Sequence, residues 1–387
     1  MVIIGIAILI ALLGPNITPD STPEANLVVS ELREKGPGFT MKFLLVKKNI
    51  DEDQSGFFSK FWFGYPSKYD HKPINSYNFS GGKVLFDPYV GDAVASHQKI
   101  PVSLIDVVYA LDDSKPQVLD SINQVFTVYE RGNPNPITIS FTELEKKIEK
   151  ENIITKTYLL GTDQLGRDML SRLMLGTRVS LSVGLVSVII SVFIGLMMGA
   201  ISGFFRGWVD DLIMWVINVV WSIPTLLLVI AITLALGKGL VQVFVAVGLT
   251  MWVDVARVVR GQTLSLREKE FVEAGKALGF TNFRIIFNHV MPNVMGPVIV
   301  ICAANFANAI LIEAGLSFLG IGAQPPMASW GAMINDHRQF LFTESSYLAI
   351  VPGLAIMLIV LAFMLVGNGL RDAIDAKALD EEQAMGY

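Results

Sequence analysis

Four stretches of the chain run without a charge for long enough to cross a bilayer. They lie between Arg178 and Arg206, Asp211 and Lys238, His289 and Glu313, and Glu344 and Arg371. Crossing the hydrocarbon core takes roughly 20 apolar residues. A fifth apolar run, from Gly239 to about Val259, takes in Asp254 near one end. The first 13 residues before Gly14-Pro15 are apolar as well. At ~1.5 Å per residue they cover about 20 Å of a ~30 Å core. This segment has neither a basic flank nor a small-x-small cleavage pattern. We therefore read 1–19 as a first membrane span, not as a signal peptide. The pattern predicts six membrane helices, with 178–370 holding five and 371–387 forming a tail.

Between the first span and the rest lies a polar block, 20–160. It holds 19 of the acidic and 16 of the basic residues, within the size range of an ordinary domain. "MKFLLVKK" and "VFTVYE" alternate as strands do, and "TELEKKIEKEN" reads as a helix with Thr142 and Glu145 as a capping box. We expect an α+β insert. The aromatic run "FFSKFWFGYPSKYDHKPINSYNF" is read as core and turns of that domain ahead of a binding or membrane-resting surface. In 161–177, which leads into the second span, Leu165, Met169 and Leu173 share one helical face. Asp168 and Arg172 are spaced for an i, i+4 pair.

The charged stretch "SLREKEFVEAGKALGFTNFRIIFNHVMPN" (265–293) separates two of the spans. Ser265 and Glu268 form a predicted capping box. Phe271, Ala274 and Leu278 make a narrow apolar stripe. Gly279 suits a left-handed C′ position, Thr281 suits the N-cap of a second helix, and Pro292 follows where the chain enters the next span. The stretch is expected to be a water-facing helical hairpin offering a small face to another protein. Placing it in the cytoplasm puts nine basic residues (Arg206, Arg257, Arg260, Arg267, Lys269, Lys276, Arg284, Arg371, Lys377) on that side. Five (Arg167, Arg172, Arg178, Lys238, Arg338) fall on the other. Both termini are then cytoplasmic and 20–160 is outside.

Inside the spans, Pro224 is expected to kink the third helix. Asn305 and Asn308, three apart, share a face that either lines a pathway or bonds to neighbouring helices. Asp254 and Glu313 are read as reaching the interface from near span ends. The absence of a mid-membrane carboxylate then argues against a proton-driven carrier. "LSFLGIGAQPPMASWG" carries Pro325-Pro326 and Trp330, turn formers beside an interfacial aromatic.

Composition agrees with a multi-span membrane protein: 52% hydrophobic, 17% charged, mean hydropathy +0.51. A net charge of −5 with no basic cluster argues against nucleic acid. The lone Cys302 forms no intrachain disulfide. His71, His97, His289 and His337 show no metal-site spacing, and no phosphate-binding loop of the G-x-x-x-x-G-K-[S/T] type is present. ATP and its Mg²⁺, if they drive transport, are expected on another subunit.

Glu273-Ala274-Gly275, Gly279 and His289-Val290-Met291-Pro292 closely resemble the coupling-loop motif of ABC importer permeases, usually E-A-A-x-x-x-G with a later I-x-L-P. Gly275 replaces the common alanine and His289 the usual isoleucine. "LGTDQLGRDMLSRLMLGTRVSLSVGL", "RGWVDDLIMWVI", "RGQTLSLREKEFVEA", "LSFLGIGAQPPMASWGAMI" and "GNGLRDAID" resemble the second permease of the dipeptide, oligopeptide and nickel branch. Thr157 to Leu160, Asn368 and the long outer block depart from that pattern.

The resemblance implies an all-α type I importer permease fold in a bacterial inner membrane and import of peptides or similar solutes. It also implies a homologous permease partner, two ATPase subunits and a solute-binding protein. ATPase coupling falls to Glu273, Ala274, Gly275, Gly279, His289 and Pro292. A secondary transporter would leave the hairpin unexplained. A membrane-anchored sensor would leave the other matched segments unexplained.

Overall fold

The computed structural model describes residues 1–50, 56–91 and 99–384, with the backbone alone from 375. His97 lies outside the described residues. The chain divides into two compact units. One is Leu13–Met174, and the other is made of the residues on either side of it.

The chain opens with the apolar helix α1 (Val2–Leu13). In the 13–174 unit there follow β1 (Phe39–Lys47), α2 (Phe57–Phe63), β2 (Tyr69–Ser80), β3 (Lys83–Pro88), β4 (Ile100–Ser103) and α3 (Leu104–Val108). Next come β5 (Val118–Asp120), β6 (Val125–Tyr129), β7 (Pro136–Ser140), α4 (Phe141–Lys147) and β8 (Ile153–Tyr158). Five strands form an antiparallel sheet in the order β4-β3-β2-β1-β8, and β5-β6-β7 form a second.

Alternation along β1 sends Leu44 to one face and Phe43 and Leu45 to the other. Leu44 joins Ile74, Val84, Leu104 and Leu144 in one core. Phe43 and Leu45 join Leu32, Tyr89 and Tyr158 in another. The helix after β7 starts earlier than its predicted capping box. Ser140, not Thr142, is the N-cap, and its hydroxyl accepts from the Glu143 N–H at 3.3 Å.

Two other local expectations fail here. The aromatic run does not lie wholly in the core. Ile74 of β2 is buried, but α2 buries none of its residues. Residues 164–168 are a turn, not part of a helix: Gly166 has φ +75, and Thr162 and Asp168 form a β-bridge.

The cause of that turn is Asp163, whose side chain is fully buried. Its Oδ1 accepts from the backbone N–H groups of Leu165 and Arg167, at 2.8 and 2.9 Å. Its Oδ2 pairs with Arg167 Nε at 2.6 Å and lies 3.7 Å from Arg172 Nε. Arg172 therefore turns to Asp163 and not to Asp168, whose carboxylate instead accepts from Ser171 Oγ at 2.5 Å. Burial raises the Asp168 pKa above the usual carboxylate value.

The cluster also ties in the start of the unit. Arg167 Nη1 donates to Asn26 Oδ1 at 3.1 Å, and the Asp20 N–H donates to Ser171 Oγ at 2.9 Å. The Lys35 N–H donates to Thr162 Oγ1 at 2.9 Å. With β1 and β8 paired from Phe39↔Tyr158 onward, both ends of the unit are held together at its base.

The other unit holds α5 (Met169–Phe205, from Leu175 on), α6 (Gly207–Ser222), α7 (Thr225–Leu236), α8 (Leu240–Arg267) and α9 (Glu270–Ala277). It continues with α10 (Asn282–Ile285), α11 (Met291–Phe318), α12 (Trp330–His337) and α13 (Tyr347–Ala384). Among the described residues four helical stretches are long and apolar enough to cross a membrane, or five if α6 and α7 count as one.

Pro224 does more than kink that pair. α6 and α7 meet at 94°, with Ile223 extended (φ −93, ψ 128) and Pro224 as the N-cap of α7. Proline excludes the helical conformation from the residue before it.

α5 and α8 pack at very close range. A Cβ added at Gly195, Gly199 or Gly203 would lie 2.5 Å from Val255 Cβ, 2.5 Å from Ala256 O and 2.7 Å from Thr263 Cβ. Small residues at a four-residue spacing allow such an approach. Beside this seam Asp210 of α6 takes a two-pronged pair from Arg260 of α8 (2.7 and 2.6 Å) and a hydrogen bond from Ser202 Oγ of α5.

Of the two carboxylates read as near span ends, one lies mid-helix and the other is enclosed by protein. Asp254 sits near the centre of α8. Glu313 is fully buried, accepting from Ser317 Oγ at 2.7 Å, while its Oε2 has no hydrogen-bond partner among the described residues. Helix α8 runs on to Arg267, and the loop after α11 folds back onto that helix, with the Ala323 N–H donating to Ser317 Oγ at 3.1 Å.

Replacing Asp163 by Ala would leave two buried guanidinium groups without their shared carboxylate. Removing one partner of a buried pair costs about 3–5 kcal/mol. A fragment spanning 13–174 should then lose most of its cooperative thermal transition. An unchanged melting temperature would show that Asp163 does not hold the base.

Candidate functional site: the 265–293 hairpin and the cavities beside it

The hairpin begins later than its predicted cap. α8 continues through Ser265 to Arg267, so Ser265 is inside a helix and Lys269 is the N-cap of α9 with no side-chain cap. Glu268 is drawn away by Arg206, at 2.6 Å.

α9 ends in a Schellman turn. The Gly279 N–H donates to Lys276 O at 2.9 Å, and the Phe280 N–H donates to Gly275 O at 3.0 Å. Gly279 takes φ +77, a conformation glycine enters without steric cost. Thr281 caps α10, its hydroxyl accepting from the Arg284 N–H at 3.4 Å.

Pro292 lies where the chain enters α11. Residues Ile286–Val290 widen into a π turn and Pro292 sits in the first turn of α11, so Asn282–Phe318 reads as one continuous span. A proline inside an α-helix clashes with the carbonyl four residues back. The π register relieves such a clash.

The two faces of α9 differ sharply. Val272 is fully buried and Gly275 is buried beside it. With Ile285 and Val290 of the second arm, Val272 joins a cluster containing Phe204 of α5 and Val255 and Val259 of α8. The predicted stripe lies on the other face. Phe271 is 41% exposed and Leu278 73%, and Ala274 and Glu273 are exposed with them. Phe283 and Phe287 add a second exposed apolar pair, their rings stacked at 6.2 Å. His289 is half-buried. Its ring stacks on Phe280 at 6.0 Å, and the Arg284 guanidinium lies 4.0 Å from the centre of that same ring.

Glu273, Ala274, Gly275 and Gly279 thus share α9 and its turn, and His289 and Pro292 lie on the returning arm. Sequence periodicity located the exposed stripe. It did not find Phe283 and Phe287, although their i, i+4 spacing was there to be read.

Two cavities lie within this unit. One, of about 300 Å³, is lined by Trp221, Ile223, Thr250, Asp254, Asn308 and Leu311. The other, of about 380 Å³, includes Val258, Pro297, Val300, Met364, Asn368 and Arg371 in its walls. Asn308 borders the first, whereas Asn305 is buried in the helix packing with no hydrogen-bond partner for Nδ2 among the described residues. Pro224 is exposed at the α6–α7 corner. Asn308 and the residues on either side of Pro224 thus border one cavity, and Asn305 does not.

A bundle of apolar helices that carries a polar hairpin, seated by one face and free on the other, defines a multi-span membrane transport subunit. Residues 191–380 match the family described as binding-protein-dependent transport system inner membrane component. The chain is 41% identical over 223 residues to the glutathione transport system permease protein GsiD of Pectobacterium atrosepticum, covering 58% of this chain and 74% of that protein. It is 43% identical over 217 residues to the dipeptide transport system permease protein DppC of Alkalihalophilus pseudofirmus, covering 56% and 71%. An inward-facing structure of the MetNI methionine ABC transporter aligns with a TM-score of 0.45 at 17% identity, over 53% of this chain and 97% of that one. The chain belongs to the family of binding-protein-dependent inner-membrane transport components, and is a multi-pass permease subunit.

The hairpin makes opposite demands at its two glycines. A Cβ at Gly275 would lie 3.5 Å from Phe280 and 3.7 Å from Ile285, ordinary contact distances. Gly275→Ala should stabilise α9 by about 1 kcal/mol. Gly279→Val places a β-branched residue at positive φ and should cost about 1–2 kcal/mol. Amide exchange over 270–280 should slow in the first variant and quicken in the second. The same direction in both would refute the Schellman geometry.

Proposed function

We propose that this chain is one of two homologous permeases in an ATP-driven importer for peptides or a related small solute, with the fold of type I importers. It works with two ATPase subunits and an extracytoplasmic binding protein. The carrying observation is the two-faced hairpin. Its inner face is buried against α5 and α8 while Phe271, Ala274, Leu278, Phe283 and Phe287 stay exposed. An apolar patch of this kind marks a protein contact. The ATPase is the partner suggested by the Glu273-Ala274-Gly275 motif.

In this reading ATPase closure pushes the hairpin. The buried inner face transmits the push to α5 and α8 as near-rigid bodies, exchanging inward and outward openings. The hydrolysis chemistry resides on the ATPases, and this chain binds no cofactor of its own. The peptide assignment rests on the names of the relatives. Six spans, with α1 as the first, place the hairpin and both termini in the cytoplasm and 20–160 outside. The nine-to-five distribution of basic residues supports this arrangement.

Leu278→Asp and Phe271→Asp change exposed side chains and so should leave the fold intact. Losing about 2 kcal/mol of apolar contact should weaken ATPase retention about thirtyfold, with a parallel fall in solute-stimulated ATP hydrolysis in reconstituted complexes. Wild-type retention and stimulation in both would remove the hairpin as the coupling element and favour a sensor.

The orientation is checked separately. Cysteines placed at Gln262 and Ser114 should react with an impermeant reagent from opposite sides, and labelling of Gln262 in intact cells would overturn it.

A further inference from the structure

α2 is unlike the rest of its unit. Its seven residues, FFSKFWF, include five aromatics, and none of the seven is buried. Phe58 is 85% exposed, Phe57 77% and Phe63 60%, with Trp62 also exposed. Seven residues are well short of the roughly 12–15 at which an isolated helix becomes even marginal in water. A short helix holding bulky rings in solvent therefore needs a contact that lies outside the unit.

The local tethers identify that contact. Asn16 Nδ2 donates to Leu13 O at 2.8 Å and to Phe61 O at 2.9 Å, joining α2 to the residue that ends α1. Just past the same end, Gly64 has φ +78, and a Cβ there would fall 2.4 Å from Ser21 O and 3.3 Å from Pro15 Cβ. The Tyr65 N–H donates to Ser21 O at 3.2 Å. The C-terminal end of α2, from Phe61 on, is thus fastened to the residues that follow the apolar helix. Gly14–Asn16 is a single 3₁₀ turn. At about 2 Å per residue it carries the chain roughly 6 Å past Leu13. The polar zone on each side of a bilayer's hydrocarbon core is about 5–8 Å deep.

We propose that α2 is an interfacial anchor, with Phe57, Phe58, Trp62 and Phe63 resting in the outer-leaflet headgroup region beside the exit of α1. This rests on the reading of α1 as a membrane span. Aromatic side chains concentrate at that depth because the rings leave water while their surroundings stay polar. A lipid surface fits better than a protein groove, because the tether sets the helix at one depth relative to the end of an apolar helix. The anchor would hold the base of the outer domain at the membrane while the sheets project from it.

The test uses the full-length protein in liposomes, with its one cysteine removed (Cys302→Ala) and a single NBD fluorophore introduced through Phe58→Cys, Ile6→Cys or Ser114→Cys. Lipids carry a nitroxide either near the headgroup or deep in the acyl chain. Phe58 is an exposed position, so the change removes no packing. The shallow nitroxide should quench the Phe58 label several-fold more than the Ser114 label, and the deep nitroxide should quench the Ile6 label. Equal quenching at Phe58 and Ser114 with Ile6 quenched would overturn the anchor while leaving the span intact. Shielding of Phe58 only on addition of a solute-binding protein would assign the surface to that protein and also overturn the lipid contact. An unquenched Ile6 would remove the span itself, and the anchor with it.

Discussion

The seating of Val272 and Ile285 against Phe204, Val255 and Val259 is the constraint from which the membrane unit takes its working form. Both side chains are fully buried, and each is worth about 1.5–3 kcal/mol for leaving water. That burial holds a charged hairpin firmly to the ends of α5 and α8. It also uses up the inner face of α9, which presents Val272 and Gly275. The larger Phe271 and Leu278 are therefore left on the outside, where they can meet another protein. Arg206 with Glu268 adds a surface pair across the same junction at 2.6 Å, of the kind worth about 0–1 kcal/mol. The apolar contacts decide the position and the ion pair trims it.

The close approach of α5 and α8 gives the seating its rigidity. Glycines at 195, 199 and 203 bring the two backbones together, and Asp210 with Arg260 and Ser202 ties α6 to the same seam. A hairpin docked onto two helices that touch this closely cannot move without moving both. Past the 94° break at Ile223-Pro224, α7 packs on α8 as well, with Val229 joining Val243, Ala246 and Val247 in one cluster. The roughly 300 Å³ cavity that Asp254 and Asn308 border lies next to this corner.

What could be read from the sequence followed the range of the interaction involved. Apolar runs set by the bilayer were visible, as were the periodicity of Phe271, Ala274 and Leu278 and the left-handed glycine at 279. Ser265 was misread because the helix end is decided by a distant partner: Arg206 takes Glu268 from its expected role, and α8 runs past the local signal. Arg172 was misread in the same way, since a buried Asp163 outcompetes the nearer Asp168. Glu313 looked interfacial by position along the helix, but the loop after α11 that buries it is brought back by folding. The direction the stripe faces also lay beyond periodicity, which gives a face without saying what lies opposite.

The strand pairing at the base of the outer domain bears on how such a chain could arise. β1 leaves the base and β8 returns to it as hydrogen-bonded neighbours, with Phe39 opposite Tyr158. Residues so paired have Cα atoms only about 4.5–5.5 Å apart. A cut across this pair leaves two ends that a tight turn could join, while Asp163, Arg167 and their partners keep the stump closed. The whole intervening domain is therefore a topological appendix. It could have been gained, and could be lost again, as one genetic insertion that leaves the register of every membrane helix untouched.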